Sequence, residues 1–299
     1  MRHALTAVTE ERRRLKASGV GRVSVSEEGL SALRAVAAAG PEARMPDAPV
    51  ASPRRPAPPM EAPAAAAAPA AAPAASAPAA PPVFTLPQGD KASRWAALVG
   101  IVRDDPVCQS KLRPGKKVCV GVGSLDASIM FVGEAPGAEE EVQGEPFVGP
   151  AGQLLTRMIG AMALSRQDVY IGNIMNWRPD LPAGPDGVQT GNRPPTEAEM
   201  AHCMPYLLAQ IDIVAPRLLV ALGATAAKGL LGARAFGALG EVRGRWHEFG
   251  GRPLMVTYHP SYILRNPTNR TKRLIWEDLL KVMERANLPV SDKQRGFFL

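Results

Sequence analysis

Cysteine is scarce in this chain, with three among 299 residues. A small, odd count in a chain this long argues against a disulfide scaffold and suits a reducing cytoplasm. Also missing is any run of about 18 apolar residues free of breakers, so no membrane span is expected. The stretch MRHALTAVTEERRRLKASG has no uninterrupted apolar segment, and a secretory leader is not expected. No internal repeat of useful length occurs. Both phosphate-loop patterns are absent: G-x-x-x-x-G-K-[ST] and the G-x-G-x-x-G spacing. A nucleotide-binding α/β protein is therefore disfavoured.

What is present permits a sizeable core, since 46% of the residues are hydrophobic. The net charge of +7 and pI near 9.6 allow an anionic partner without identifying one. Residues 5–17 read as a short basic helix. A second helix follows Ser26 as N-cap and stops at Gly40, so 1–40 is a short helical segment. From Pro46 to Pro82 there are 17 Ala and 12 Pro in 37 residues. Proline every few residues fixes φ and removes donors, so residues 41–83 read as a disordered, extended linker without a core. The folded domain is expected over 84–288, with a tail at 289–299.

Within the domain, apolar strands alternate with helical patterns. ASIMFVGE, DVYIGNIMNWRP, RLLVALG and RPLMVTYHP read as strands. ASRWAALVGIVRDDP, AGQLLTRMIGAMAL, PTEAEMAHCMPYLLAQIDIVAP, ATAAKGLLG and TKRLIWEDLLKVMERANL read as helices. This is the pattern of an α/β, three-layer α/β/α domain with a mostly parallel sheet of about four strands. Ligands of such sheets bind beyond the carboxyl ends of the strands. The candidates are therefore Gly133–Gly137, Gly172–Arg178, Gly223–Thr225 and Thr257–Arg265. The acids Glu139 to Glu141 would repel a triphosphate near the first of these. His259 ends a strand and precedes Pro and Ser, which could aim its ring. From Arg243 to Arg273 seven Lys or Arg face one acid, Glu248, as in a stripe that binds a phosphate backbone.

GEAPGAEEEVQGEPFVGPAGQLL, YIGNIMNWRP, GNRPPTEAEMAHCMPYLLAQI, LLVALGATAA, VRGRWHEFGG and VTYHPSYILRNP, in that order, resemble the type-4 uracil-DNA glycosylases of bacteria and archaea. The likeness spans roughly residues 95–285. It implies hydrolytic excision of uracil from DNA by a monomer, with the target nucleotide flipped out of the stack. By resemblance, Phe147 is the aromatic platform for the base, Asn173 the amide that reads it, and His259 the donor at O2. Gly133 and Ala135 line the pocket. Glu134 and Glu140 are both candidates to stabilise the sugar cation or position water. Ser261 is the phosphate contact, and Tyr262, Ile263 and Leu264 are candidates for the wedge that fills the vacated stack. Arg265, Arg243 and Arg245 hold the backbone. A non-catalytic or altered-specificity member that binds uracil or abasic DNA is the alternative.

The family carries a four-iron four-sulfur cluster on four cysteines. Here Cys108 and Cys203 match the second and fourth ligands. Asp105 and Trp177 stand at the first and third, and Cys119 lies too close to a strand. Three cysteines cannot supply four thiolates, so no cofactor is expected and packing around Trp177 takes over its structural role. Cys108 and Cys203 remain the only metal-ligand candidates from the family set, with non-cysteine ligation as the alternative. The tail Gln294–Leu299 has the look of a sliding-clamp peptide, with a polar anchor and an apolar plug.

Overall fold

The computed structural model describes residues 80–182, 184 and 189–299. The two helices expected within 1–40, and the linker as far as residue 79, lie outside the described residues. Residues 80–83 form neither helix nor strand. Among the described residues the sheet has six strands: β1 (Val122–Gly123), β2 (Ile129–Gly133), β3 (Tyr170–Asn173), β4 (Leu218–Leu222), β5 (Trp246–Phe249) and β6 (Arg252–Thr257). Their order is β1-β3-β2-β4-β6-β5. The inner four are parallel, with Val132 opposite both Gly172 and Ala221. The outer two, β1 and β5, pair antiparallel.

The four expected strands are these inner ones, and the count of about four falls short by the two edges. β1 is only two residues long. β5 reads Trp-His-Glu-Phe and is half exposed. An edge strand with a wet side needs no apolar run, so neither announces itself.

Helices cover both faces. α1 (Lys91–Asp104) and α2 (Pro106–Ser110) precede the sheet, and α3 (Glu140–Gln143) and α4 (Pro150–Ala161) follow β2. α5 (Glu197–Val214) follows β3, and α6 (Ala224–Leu231) and α7 (Leu239–Val242) follow β4. α8 (Pro260–Arg265), α9 (Asn269–Arg285) and α10 (Asp292–Arg295) follow β6. The period-2 alternation of strand side chains divides the core. Ile129, Phe131, Ile171, Val220 and Met255 face α4 and α9. Met130, Val132, Tyr170, Leu219 and Val256 face α5 and α6. A third cluster joins α1 and α2 to α5 through Leu98, Val102, Cys108, Trp177, Cys203 and Tyr206. α5 starts as its sequence requires: the Thr196 hydroxyl accepts from Glu199 N, and the Glu199 carboxylate accepts from Thr196 N.

β2 is followed in sequence by β3 on one side and later by β4 on the other. The order reverses there, and the carboxyl edge between β2 and β4 is the natural cleft of an open parallel sheet. Among the described residues no helix is long and apolar enough to cross a membrane.

The tail differs from expectation. The Gln294 amide donates to Ala161 O at 2.8 Å, and its side-chain oxygen accepts from Ser291 N at 2.8 Å. The Trp276 indole donates to Gln294 O at 2.6 Å, and the Phe297 ring packs 5.3 Å from Trp276. The anchor Gln294 and the Phe297 ring are thus taken up by the protein's own α4 and α9, whereas Phe298 and Leu299 are exposed. Trp276 offers an apolar face and an N–H that needs a partner, and the tail supplies both.

Candidate active site

A cleft of about 750 Å³ opens at the carboxyl edge, and Glu134, Ala135, Phe147, Asn173, His259 and Tyr262 are among its walls. Gly133 ends β2 between two of them. A Cβ there would strike the Asn173 side-chain oxygen and the Phe147 ring, so only glycine lets the platform and the amide stand this close. The Phe147 ring lies 5.5 Å from the His259 imidazole, tilted by 32°. The three side chains assigned to the base by resemblance therefore share one small space, and Gly133 and Ala135 lie beside them.

Asn173 is only 6% exposed, and its Oδ1 has no donor among the described residues. A buried acceptor without a partner costs about 1–3 kcal/mol unless a ligand supplies the donor. The His259 imidazole is the reverse case. It caps α8, with Nδ1 accepting from Ser261 N at 3.2 Å and meeting Ser261 Oγ at 2.9 Å. An Nδ1 that accepts an amide N–H leaves the ring proton on Nε2. Burial, with the Arg265 charge nearby, pulls the His259 pKa down to about 4, so the ring is a neutral N–H donor at neutral pH.

The two candidate glutamates separate. Glu140 receives Gly137 N at 3.0 Å, Val148 N at 3.0 Å and Gly149 N at 2.9 Å. Its carboxylate is occupied in holding the loop that bears Phe147. It is thereby corrected from a candidate acid or water ligand to a brace. Glu134 also lines the cleft. Burial raises its pKa, partly opposed by the Thr225 hydroxyl and the Arg265 charge. Thr225, from the Gly223–Thr225 candidate segment, belongs to the same walls, as does Asn192, which was not singled out from sequence. Asn192 sits in the quoted GNRPP stretch, and its side-chain oxygen accepts from Arg178 Nε at 2.8 Å.

α8 presents the HPSYILR segment. Arg265 Nη1 donates to Ser261 Oγ at 3.2 Å, and both line the cleft. Tyr262 stacks on Tyr258 with centroids 4.3 Å apart. Ile263 is 7% exposed within the core cluster, whereas Leu264 is 44% exposed. Ile263 is thus removed from the wedge candidates: its turn of α8 points into the core. Arg243 is also corrected. Its guanidinium donates to Asp278 at 2.7 Å and lies 5.1 Å from the centre of the Tyr258 ring, so it serves the fold. Arg273 is engaged by Glu277 and by two tail carbonyls. Of the basic stripe, Arg245, Arg265 and Arg270 are exposed.

The positions that match the family's cluster ligands are built differently from a four-thiolate cage. Cys108 and Cys203 are fully buried there, and burial pushes both thiols far above their ordinary range. Trp177 fills the third position at 1% exposure. Asp105 occupies the first and accepts from Cys108 N at 2.6 Å and from Tyr206 OH at 2.9 Å, with His202 Nε2 at 3.1 Å. Burial pushes the Asp105 pKa up, but these hydrogen bonds outweigh it and the carboxyl ends below its usual range. Asp105, Cys108 and His202 converge closely enough to be a mixed donor set. Cys119 is elsewhere: its thiol donates to Glu140 O at 3.1 Å, and burial pushes it up to about 12. Two thiols, a carboxylate and an indole do not fit a four-thiolate cluster.

Fold and cleft together define an α/β protein with a pocket at the carboxyl edge of its sheet. A family model described as the uracil DNA glycosylase superfamily matches residues 120–280. Type-4 uracil-DNA glycosylase of Thermotoga maritima is 44% identical over 165 residues, which is 55% of this chain and 80% of that protein. Those of Pyrobaculum aerophilum and Saccharolobus solfataricus are 41% and 39% identical, covering 52% and 56% of this chain and 77% and 76% of theirs. The chain belongs to the type-4 uracil-DNA glycosylase family.

Proposed function

We propose that this protein flips uracil out of DNA and hydrolyses its N-glycosidic bond as a monomer, leaving an abasic site. The observation that carries the reading is the pairing of an orphaned acceptor, Asn173 Oδ1, with a donor, His259 Nε2, against one aromatic face. Uracil offers the complement: N3–H for the amide oxygen and O2 for the imidazole. As the bond breaks, negative charge gathers on the base, and a fixed N–H at O2 stabilises that state more than the ground state. A neutral imidazole suffices, because hydrogen-bond donation rather than proton transfer is required. The sugar gains oxocarbenium character. Glu134 lines the cleft beside Thr225, and its role is to stabilise that cation or orient water.

Flipping costs a few kcal/mol, which contacts outside the pocket must offset. Ser261 and Arg265 are the phosphate contacts, Arg245 extends them, and Leu264 is the wedge. Ile263→Ala should cost about 2–5 kcal/mol of stability, since it opens a hole in the core. Leu264→Ala should shift stability by no more than about 0.5 kcal/mol while slowing excision from duplex more than from single strands. Denaturation midpoints and excision from the two substrates check both. Equal losses on the two substrates would remove Leu264 from the stack.

We further propose that the enzyme works without an iron–sulfur cluster, the Asp105–His202–Tyr206 network and Trp177 holding α2 to α5 in its stead. The assay that tests the function is alkali cleavage of a uracil-containing strand after incubation with the protein. Cleavage is expected, and a gel shift without cleavage would make the protein a binder. Iron and sulfide analysis of the same preparation should find neither. A brown protein absorbing near 400 nm would overturn the cluster-free reading. Clamp binding is not part of this proposal, since Gln294 and Phe297 are committed to their own domain.

A further inference from the structure

The base platform stands on unfavourable backbone. Phe147 has φ of 57°, in the left-handed region, where a non-glycine residue pays of order 1–3 kcal/mol. Such a conformation persists only where the surroundings impose it. Gly152, in the first turns of α4, makes room: a Cβ there would strike the Phe147 carbonyl. On the amide side, Val148 N and Gly149 N are held by the Glu140 carboxylate. On the carbonyl side the partner is Arg166, from the connection between α4 and β3. Its Nη1 donates to Phe147 O at 3.0 Å and its Nη2 to Pro146 O at 2.9 Å. Nη1 also lies 3.4 Å from Thr156 Oγ1.

A planar guanidinium bonding two successive carbonyls fixes both peptide planes at once, which a single ammonium cannot do. The Pro146–Gly149 segment is thus gripped by an anion through its amides and by a cation through its carbonyls. Glu140 and Glu145 are also the acids whose charge Arg166 senses.

We propose that Arg166 is a positioning residue for base recognition. Its two bonds keep Phe147 left-handed, and thereby keep the ring against Asn173 and His259. Arg166 is not among the cleft's lining residues and acts only through Phe147. The inference rests on the glycosylase reading given above.

The test is single-turnover excision by Arg166→Ala beside wild type, with guanidinium ion added at low millimolar concentration. The rate should fall roughly 10- to 100-fold, as expected when a positioned group is displaced by about 1 Å. Affinity for DNA without uracil should stay within about threefold, since binding remote from the reacting centre is retained. Guanidinium should restore part of the rate to the variant and none to wild type, and ammonium should restore nothing. Arg166→Lys should fall between the two, and Thr156→Val should match wild type. Where Arg166→Ala does not fold, Arg166→Lys and Arg166→Gln are read by the same criteria. A rate within about twofold of wild type would overturn the proposal. So would a loss that tracks the melting temperature and that guanidinium leaves untouched. Wild type that excises no uracil would instead sink the glycosylase reading itself.

Discussion

His259→Ala is expected to lower single-turnover uracil excision by about 100- to 1000-fold, the usual effect of removing a donor aimed at developing negative charge. DNA affinity should change far less, because the bond to O2 is strongest only as the base departs. Rapid-quench rates and binding isotherms on the same substrate separate the two. Equal losses in both would mean that His259 merely supports α8, whose first turn it caps. The pH dependence is a second reading of the same residue. With its pKa lowered to about 4, His259 stays neutral from pH 8 down to 5, so it contributes no loss of rate near 6.5. An inflection near 6.5 present in wild type and absent in the variant would contradict the neutral-donor role. Stability follows in sign. Between about 4 and 6.5 the unfolded chain binds the proton that folded His259 refuses, so this residue's contribution to stability declines as pH falls through that window. The substitution should flatten that part of the stability curve.

Asn173→Asp is the other large effect. In the proposed reading the amide presents an acceptor for N3–H and, on the same carbon, a donor for O4. A carboxylate keeps the acceptor and replaces the donor with a second oxygen facing O4. It would also place a charge in a buried pocket that already holds Glu134. Uracil excision should drop by about 100-fold or more, because a site made for a specific hydrogen-bond pair penalises an unpaired group heavily. Cytosine presents an amino group at the O4 position, and the ratio of cytosine to uracil excision should rise. Competition between the two substrates in one reaction measures that ratio directly. Selectivity indistinguishable from wild type would strip Asn173 of its reading role.

The inner sheet was legible because each parallel strand is buried on both faces and reads as a short apolar run, as in IMFVG and LLVAL. The sheet's carboxyl edge then followed, and with it the segments that carry Gly133, Asn173 and His259, whereas Phe147 was named only through the family resemblance. What was not legible depended on which way a side chain turns. Glu139, Glu140 and Glu141 are indistinguishable in sequence. Only the fold of the turn sends Glu140 inward onto three amides and Glu141 to Arg178 at 3.0 Å. Arg243 resembled the other cations of the basic stripe until Asp278, 35 residues later, was seen to claim it. Ile263 and Leu264 are adjacent and chemically alike, and the helical turn alone assigns one to the core and the other to solvent. Arg166 left no signal, since an arginine in a connecting loop ordinarily points to water.

Gln294 was taken for bait for a partner, yet its amide reaches the last residue of α4 while its carbonyl receives the indole of α9. It works as a strap across two helices. Trimming the protein at residue 290 to obtain a smaller enzyme would therefore slacken the far end of the helix whose opening turns carry Gly152 under the base platform, and the damage would be felt where uracil lies rather than where the cut was made.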